Sequence, residues 1–149
     1  MSGINVRRVI VGGFVAGLVS NAFDFIITQF LMATEFAAML ARLNVSESAA
    51  QSWIPIFAAA DFLWGFLLVF TYASIRPRFG PGPKTAIIGG VLLWLAFAIA
   101  VLILMAIGLH TFQSYLKSSV LYLISALVSS MAGAALYKEG TREALPTPA

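Results

Sequence analysis

The chain has no cysteine and only one histidine, His110. Without thiols it has no disulfide, no thiolate metal site and no cysteine nucleophile. One histidine cannot supply a bis-histidine haem site, so we expect neither a metal nor another cofactor. His110 is predicted to lie exposed in a short turn at the outer membrane surface.

Charged residues are also scarce. They make up 10% of the chain, against about 25% in soluble proteins. Hydrophobic residues make up 60%, and the mean hydropathy is +0.94. In a chain of 149 residues, this composition predicts a single integral membrane domain over residues 1–149 and no separate soluble domain.

Four long apolar stretches predict an all-α, four-helix transmembrane bundle. The spans are expected at about residues 9–32, 53–72, 85–109 and 115–137, with a cytoplasmic tail at 138–149. A cleaved signal peptide is a rival interpretation of the first stretch. The apolar pattern continues as far as Leu31, which favours a membrane helix because the stretch is long enough to span.

Positive charges are unevenly divided between the two ends of these spans. Two cations, Arg42 and Lys117, flank one end. The other end has seven, namely Arg7, Arg8, Arg76, Arg78, Lys84, Lys138 and Arg142. The positive-inside rule then predicts that both termini are cytoplasmic, with Arg7, Arg8, Arg76, Arg78 and Lys84 near anionic lipid headgroups. The net charge of +3 is explained by topology, so we expect no nucleic-acid partner.

The two longer connections have different patterns. In the outer one, Phe36, Met39, Leu40 and Leu43 recur at helical spacing, which predicts a short amphipathic helix. A passive interfacial helix is favoured over a lid. The inner connection, residues 76–84, contains three prolines and two glycines, so we expect it to break the second span sharply. It lacks a Walker-type lysine followed by serine or threonine, so nucleotide binding is not expected.

Three stretches of the chain resemble a family of small four-span bacterial inner membrane proteins. They are RRVIVGGFVAG at 7–17, WGFLLVFTYASIRPRFGPGPKTAIIGG at 64–90 and AGAALYKE at 132–139. The RPRFGPGPKTA segment is the most specific part. The resemblance implies a bacterial inner membrane location and four helices. The family has no known activity, so no functional residue is transferred from it.

In three of the four spans, small and polar residues fall on one face of the helix when successive residues are placed 100° apart around its axis. Glycines on such faces let helix backbones approach closely, and we predict packing roles for Gly13, Gly17, Gly65 and Gly133. The polar members of these stripes are Ser20, Asn21, Asp24 and Thr28 in the first span, Asp61 in the second, and Tyr122, Ser125 and Ser129 in the fourth.

Asp24 and Asp61 are the two carboxylates within the spans. Asp24 precedes Met32 by eight residues and Asp61 follows Trp53 by eight, so each is predicted about 12 Å below the outer boundary. As neighbours they cannot both stay charged cheaply, so we expect one to be protonated or a cation to lie between them. The predicted proton, cation or solute site comprises Asp24, Asp61, Asn21, Thr28, Tyr122, Ser125 and Ser129.

Two functions fit these residues. The favoured one is a non-catalytic multi-pass membrane protein, an accessory or packing subunit of a homo-oligomer or a larger membrane complex, whose polar residues make interhelical hydrogen bonds. The alternative is a small-solute or proton- or cation-coupled transporter that uses Asp24 and Asp61. No catalytic constellation is visible, so an enzyme acting on lipid near His110 and Lys117 ranks below both.

Overall fold

The computed structural model describes residues 3–139, and within that range all of the regular structure is helical. Four helices there are long and apolar enough to cross a membrane. These are α1 (Val6–Ile26), extended by a π-helical turn (Ile27–Leu31), then α4 (Ile54–Phe79), α5 (Pro83–Ala106) and α6 (Phe112–Ala135). Two short helices, α2 (Ala33–Arg42) and α3 (Glu47–Gln51), connect α1 to α4. The prediction of an all-helical, multi-pass membrane protein is confirmed.

Arg142 and most of the predicted tail, residues 140–149, lie outside the described residues. The helix starts are set by side-chain caps. Asn5, Ser46 and Thr111 each accept a hydrogen bond from the backbone N–H three residues later, which satisfies one of the free donors at a helix N-terminus.

The second span continues further than expected. Instead of ending near residue 72, α4 runs to Phe79 with Pro77 in its last turns. The break predicted within residues 76–84 is present, but it comes after Pro77. The break occurs at Gly80 and Gly82, which have φ values of 84° and 119°. Glycine adopts these angles readily because it has no Cβ. Pro77 removes one backbone N–H donor from the helix without ending it, and the positive φ of Gly80 ends the helix three residues later.

The short turn after α4 is held by two hydrogen bonds. The N–H of Gly82 donates to the Tyr72 hydroxyl at 3.1 Å, and the Thr85 hydroxyl donates to the Gly80 carbonyl at 2.6 Å. Because Tyr72 and Thr85 are buried, these bonds fix the turn to the ends of α4 and α5.

Glycines bring α1 into backbone contact with both α4 and α6. A Cβ atom on Gly65 of α4 would lie 2.5 Å from the carbonyl oxygen of Gly13, and one on Gly133 of α6 would lie 2.7 Å from that of Gly12. Neither position has room for a side chain. The sequence prediction did not include Gly12. We call this contact region the glycine seam, comprising Gly12, Gly13, Gly17, Gly65 and Gly133.

Helix α2 lies across one end of the bundle, which we call the α2 end. Polar contacts join it to the other helices. Arg42 donates to the carbonyl oxygens of Gly108 and Leu109 at 3.2 and 3.1 Å. Lys117 forms an ion pair with Glu35 at 2.7 Å. These contacts connect α2 to the turn between α5 and α6 and to the start of α6.

Only part of the predicted apolar face of α2 contacts the bundle. Leu40 is buried, and Phe36 and Met39 are half-buried. Leu43 lies just beyond the helix and is 44% exposed. The packed part of this face is therefore one turn shorter than the sequence pattern indicated.

Candidate functional site

Asp24 is held by the fourth span. The Tyr122 hydroxyl donates to the Asp24 carboxylate at 2.6 Å, and both side chains are half-buried. Hydrogen bonds between side chains of different helices help to hold membrane bundles together. Asp24 therefore already has a partner within the protein, and its bond joins α1 to α6.

Most of the other predicted site residues are also satisfied within the bundle. The Asn21 amide donates to the carbonyl oxygens of Gly17 at 3.0 Å and Ala58 at 3.3 Å. The Ser20 hydroxyl donates to Ser129 at 3.0 Å. Thr28 donates to the backbone carbonyl of Asp24 at 2.7 Å, so it bonds to its own helix rather than to the carboxylate.

Asp61 is different because its carboxylate borders a cavity. Among residues 3–139, none donates a hydrogen bond to this carboxylate, and the side chain is half-buried. The cavity has a volume of about 170 Å³. Its lining residues are Ser20, Ala60, Asp61, Trp64, Trp94, Phe97, Tyr122 and Ser125. Of the predicted site, the structure thus brings Asp61, Tyr122 and Ser125 together around one open space.

The two carboxylates do not lie at equal depth. Gly17 lies against Phe62, and the Asn21 amide donates to the carbonyl oxygen of Ala58. In this antiparallel register Asp24 lies level with about residue 55 of α4 rather than with Asp61, an offset of about 9 Å along the helix axis. The predicted equality was wrong because the contact of Gly17 with Phe62 and Gly65 sets the register of α1 against α4, whereas the prediction counted residues from the span ends.

Aromatic rings form much of the cavity wall. The ring centroids of Trp64 and Phe97 are 6.4 Å apart, and those of Phe97 and Tyr122 are 4.8 Å apart. The Trp94 indole N–H donates to the carbonyl oxygen of Ser119 at 2.8 Å, which fixes that ring against α6. A carboxylate among aromatic faces attracts cations by charge and by cation–π interaction.

Sequence reasoning missed Trp64, Trp94 and Phe97 as site residues. Two signals for them were present. Trp64 lies three residues after Asp61, on the same face of the helix, and Trp94 is the one side chain with a polar group between residues 91 and 107. Phe97 had no such signal, because α5 is apolar on all sides.

The cations predicted near headgroups fall into two groups. Arg7, Arg8, Arg78 and Lys84 are exposed. The side chain of Arg76 is only 17% exposed and lies 3.1 Å from Glu139, with its guanidinium 5.5 Å from the centre of the Tyr137 ring. Arg76 therefore makes its main contacts with the protein rather than standing free at the surface.

His110 is half-buried rather than exposed as expected. Its Nδ1 lies 3.3 Å from the Ser114 hydroxyl. Burial lowers the pKa of His110, and the positive charge of Arg42 lowers it further, so the neutral form is favoured. Within the described residues, no group of three histidine, aspartate or glutamate side chains is placed to hold a metal ion.

The fold defines the class of this protein as a multi-pass α-helical membrane protein. Searches against protein-family models, curated proteins and solved structures found no match to the chain. The case for a function therefore depends on the geometry around Asp61.

Proposed function

We propose that this protein is a small-solute carrier, coupled to protons or cations, whose binding site is the cavity at Asp61. The observation that supports it is the Asp61 carboxylate, to which no residue from 3 to 139 donates a hydrogen bond and which lies in a long apolar helix beside a cavity of about 170 Å³. A charged side chain near the bilayer centre costs roughly 3 kcal/mol. A proton or a cationic ligand bound to Asp61 would remove that cost. If the proton and the ligand compete for this carboxylate, transport of one across the membrane is coupled to transport of the other.

The two carboxylates have separate roles in this proposal. Asp61 is the binding group. Asp24 is a positioning residue, because its bond to Tyr122 holds the phenol ring in the cavity wall. Asn21, Thr28 and Ser129 stabilise helix packing, and Ser125 lines the cavity.

The membrane arrangement that accompanies this proposal has both termini in the cytoplasm of a bacterium and the bundle in its inner membrane. It is supported by the exposed cations Arg7, Arg8, Arg78 and Lys84 and by the family resemblance of residues 76–86. The α2 end then faces outward. Helix α2 lies at that interface, with its half-buried apolar residues toward the bundle.

An accessory-subunit function is the second candidate. The small-residue stripes that suggested it pack within a single chain, at the glycine seam. A partner helix would instead use the flank between α4 and α5, where Ala60 is exposed and Asp61 is half-buried. Neither candidate function is catalytic. Native mass spectrometry in mild detergent that finds only monomer, without a partner, would count against this candidate.

The carrier function is tested in proteoliposomes that contain an entrapped pH dye and are placed under a pH gradient. Inorganic monocations, quaternary ammonium ions, small neutral alcohols and carboxylates are added in turn, and protein-free liposomes correct for passive leak. We expect one class of solute to accelerate proton movement and the Asp61→Asn variant to abolish the response. Glu47→Gln removes a carboxylate outside the spans and should retain the response. No response from folded wild-type protein to any of these solutes would refute the proposal.

A further inference from the structure

We infer that the ligand of the Asp61 cavity is a compact organic monocation, of the alkylated or quaternary ammonium class. This inference rests on the proposed function, since it names the solute that the carrier would bind. Charge, wall chemistry, volume and access each support it.

The cavity has an acidic side chain in its wall. Among the described residues that line it, Asp61 is the one carboxylate, and none is a lysine, arginine or histidine. The two cations at the α2 end are engaged elsewhere, because Arg42 donates to the carbonyl oxygens of Gly108 and Leu109 and Lys117 pairs with Glu35. An anion would therefore meet an uncompensated carboxylate, whereas a monocation would neutralise it.

The walls favour an organic cation over a metal ion. The Phe97 ring lies at 65° to the Trp64 ring and at 53° to the Tyr122 ring, so the three rings form one side of the cavity. Aromatic faces bind alkylammonium groups well. A hard divalent cation takes about six oxygen ligands, and four of the described lining side chains carry oxygen, namely Ser20, Asp61, Tyr122 and Ser125.

The volume restricts the size of the ligand. The cavity of about 170 Å³ is only slightly larger than the engineered cavity of about 150 Å³ that holds benzene. A tetramethylammonium ion is of this size. Long polyamines and bulky polycyclic cations would be too large for the cavity and would extend out through its opening.

Access to the cavity is from the side of the bundle. Ala60 is exposed, and Asp61, Trp64, Trp94 and Phe97 are all half-buried, so the cavity opens between α4 and α5. A ligand arriving there comes from the acyl-chain region or through the cleft itself. Alkyl groups around the charge reduce the cost of leaving water, which favours quaternary ammonium over strongly hydrated ions.

The test is isothermal titration calorimetry of the full chain in detergent with tetramethylammonium chloride, at ionic strength held constant with sodium chloride. We expect saturable binding that weakens at least tenfold in Asp61→Asn and is restored in part by Asp61→Glu. Trp64→Leu should also weaken binding. The matched controls, Glu47→Gln and Trp53→Leu, lie outside the cavity and should bind like the wild type. Circular dichroism and gel filtration establish that each variant is folded.

Several results would overturn the inference. They are equal binding of tert-butanol as an uncharged analogue of similar shape, equal competition by sodium, or unchanged tetramethylammonium binding by folded Asp61→Asn. Failure of the carrier function is distinguishable from failure of this inference. Tetramethylammonium binding without any solute-driven proton movement would refute the carrier and leave the cation site standing. Transport confined to a neutral or anionic solute would refute the cation class and leave the carrier standing.

Discussion

Helix α4 packs against its neighbours in two contrasting ways. On the side of α1, Gly65 meets Gly13 and Gly17 with no room for a side chain. On the side of α5, the large rings of Trp64 and Phe97 separate the helices beside a cavity. Small residues thus bring two helix backbones into contact, whereas aromatic residues act as spacers. The same contrast separates the carboxylates, since Asp24 is used for packing and Asp61 is left available.

The largest expected effect is at the glycine seam. Gly65→Ala should lower the free energy of unfolding by about 3 kcal/mol, since its Cβ would lie 2.5 Å from a backbone oxygen and overpacking of this kind costs about 1–3 kcal/mol. In the matched control, Gly89→Ala, the new Cβ would meet Thr71 at an ordinary 3.5 Å. That variant should be as stable as the wild type or slightly more so, because alanine favours helix. Thermal unfolding in detergent measures the stability of both variants. Equal losses of stability in Gly65→Ala and Gly89→Ala would contradict the proposed difference between the two sides of α4.

The next effect distinguishes the two carboxylates. Tyr122→Phe removes the bond to Asp24 while keeping the ring, and should cost about 1–2 kcal/mol because a half-buried carboxylate loses its donor. Asp61→Asn should not lower stability, since no described residue donates to that carboxylate and the amide places no charge in the span. Chemical unfolding followed by circular dichroism gives both values. A larger loss for Asp61→Asn than for Tyr122→Phe would reverse the assigned roles.

A smaller effect is expected at the hydrogen bond between Ser20 of α1 and Ser129 of α6. A double-mutant cycle of Ser20→Ala and Ser129→Ala should give a coupling energy of about 0.6 kcal/mol, typical of hydrogen bonds between membrane helices. Ser74→Ala is the control, because the Ser74 hydroxyl bonds only to Phe70 of its own helix. Coupling of Ser20 to Ser74 as large as that to Ser129 would show that the cycle reports something other than this bond.

The smallest effect is expected at the α2 end, where Glu35 and Lys117 pair at the surface. The hydrogen bond from Lys117 lowers the pKa of Glu35 below its ordinary value of 4.5. The pair therefore stabilises the fold above that ordinary pKa, and the contribution is lost as pH falls through the lowered value. The stability difference between wild type and Glu35→Gln should be slight at pH 7, smaller in high salt and absent in strong acid. A difference that grows in acid would contradict this sign.

Local features of the sequence predicted the fold class and the contacts made by glycine. The lengths of the apolar stretches alone predict four spans. The helical rotation of 100° per residue is enough to place Gly13 and Gly17 on one face, since both belong to the same helix. The spacing between Asp24 and Asp61 was not predictable in this way, because it depends on how two helices slide and rotate against each other. Phe97 was missed for a related reason, since a helix that is apolar all round gives no sign of which face turns inward.

The contact between the first and last spans has a consequence for biogenesis. During synthesis, Asn21 can find Ala58 as soon as α4 is inserted, whereas Ser20 and Asp24 have no access to Ser129 and Tyr122 until the final helix emerges from the ribosome. Until then α1 carries unpaired polar groups that lipid cannot satisfy. We therefore expect α1 and α4 to pack less stably on their own than after α6 has been inserted and its partners for Ser20 and Asp24 are in place.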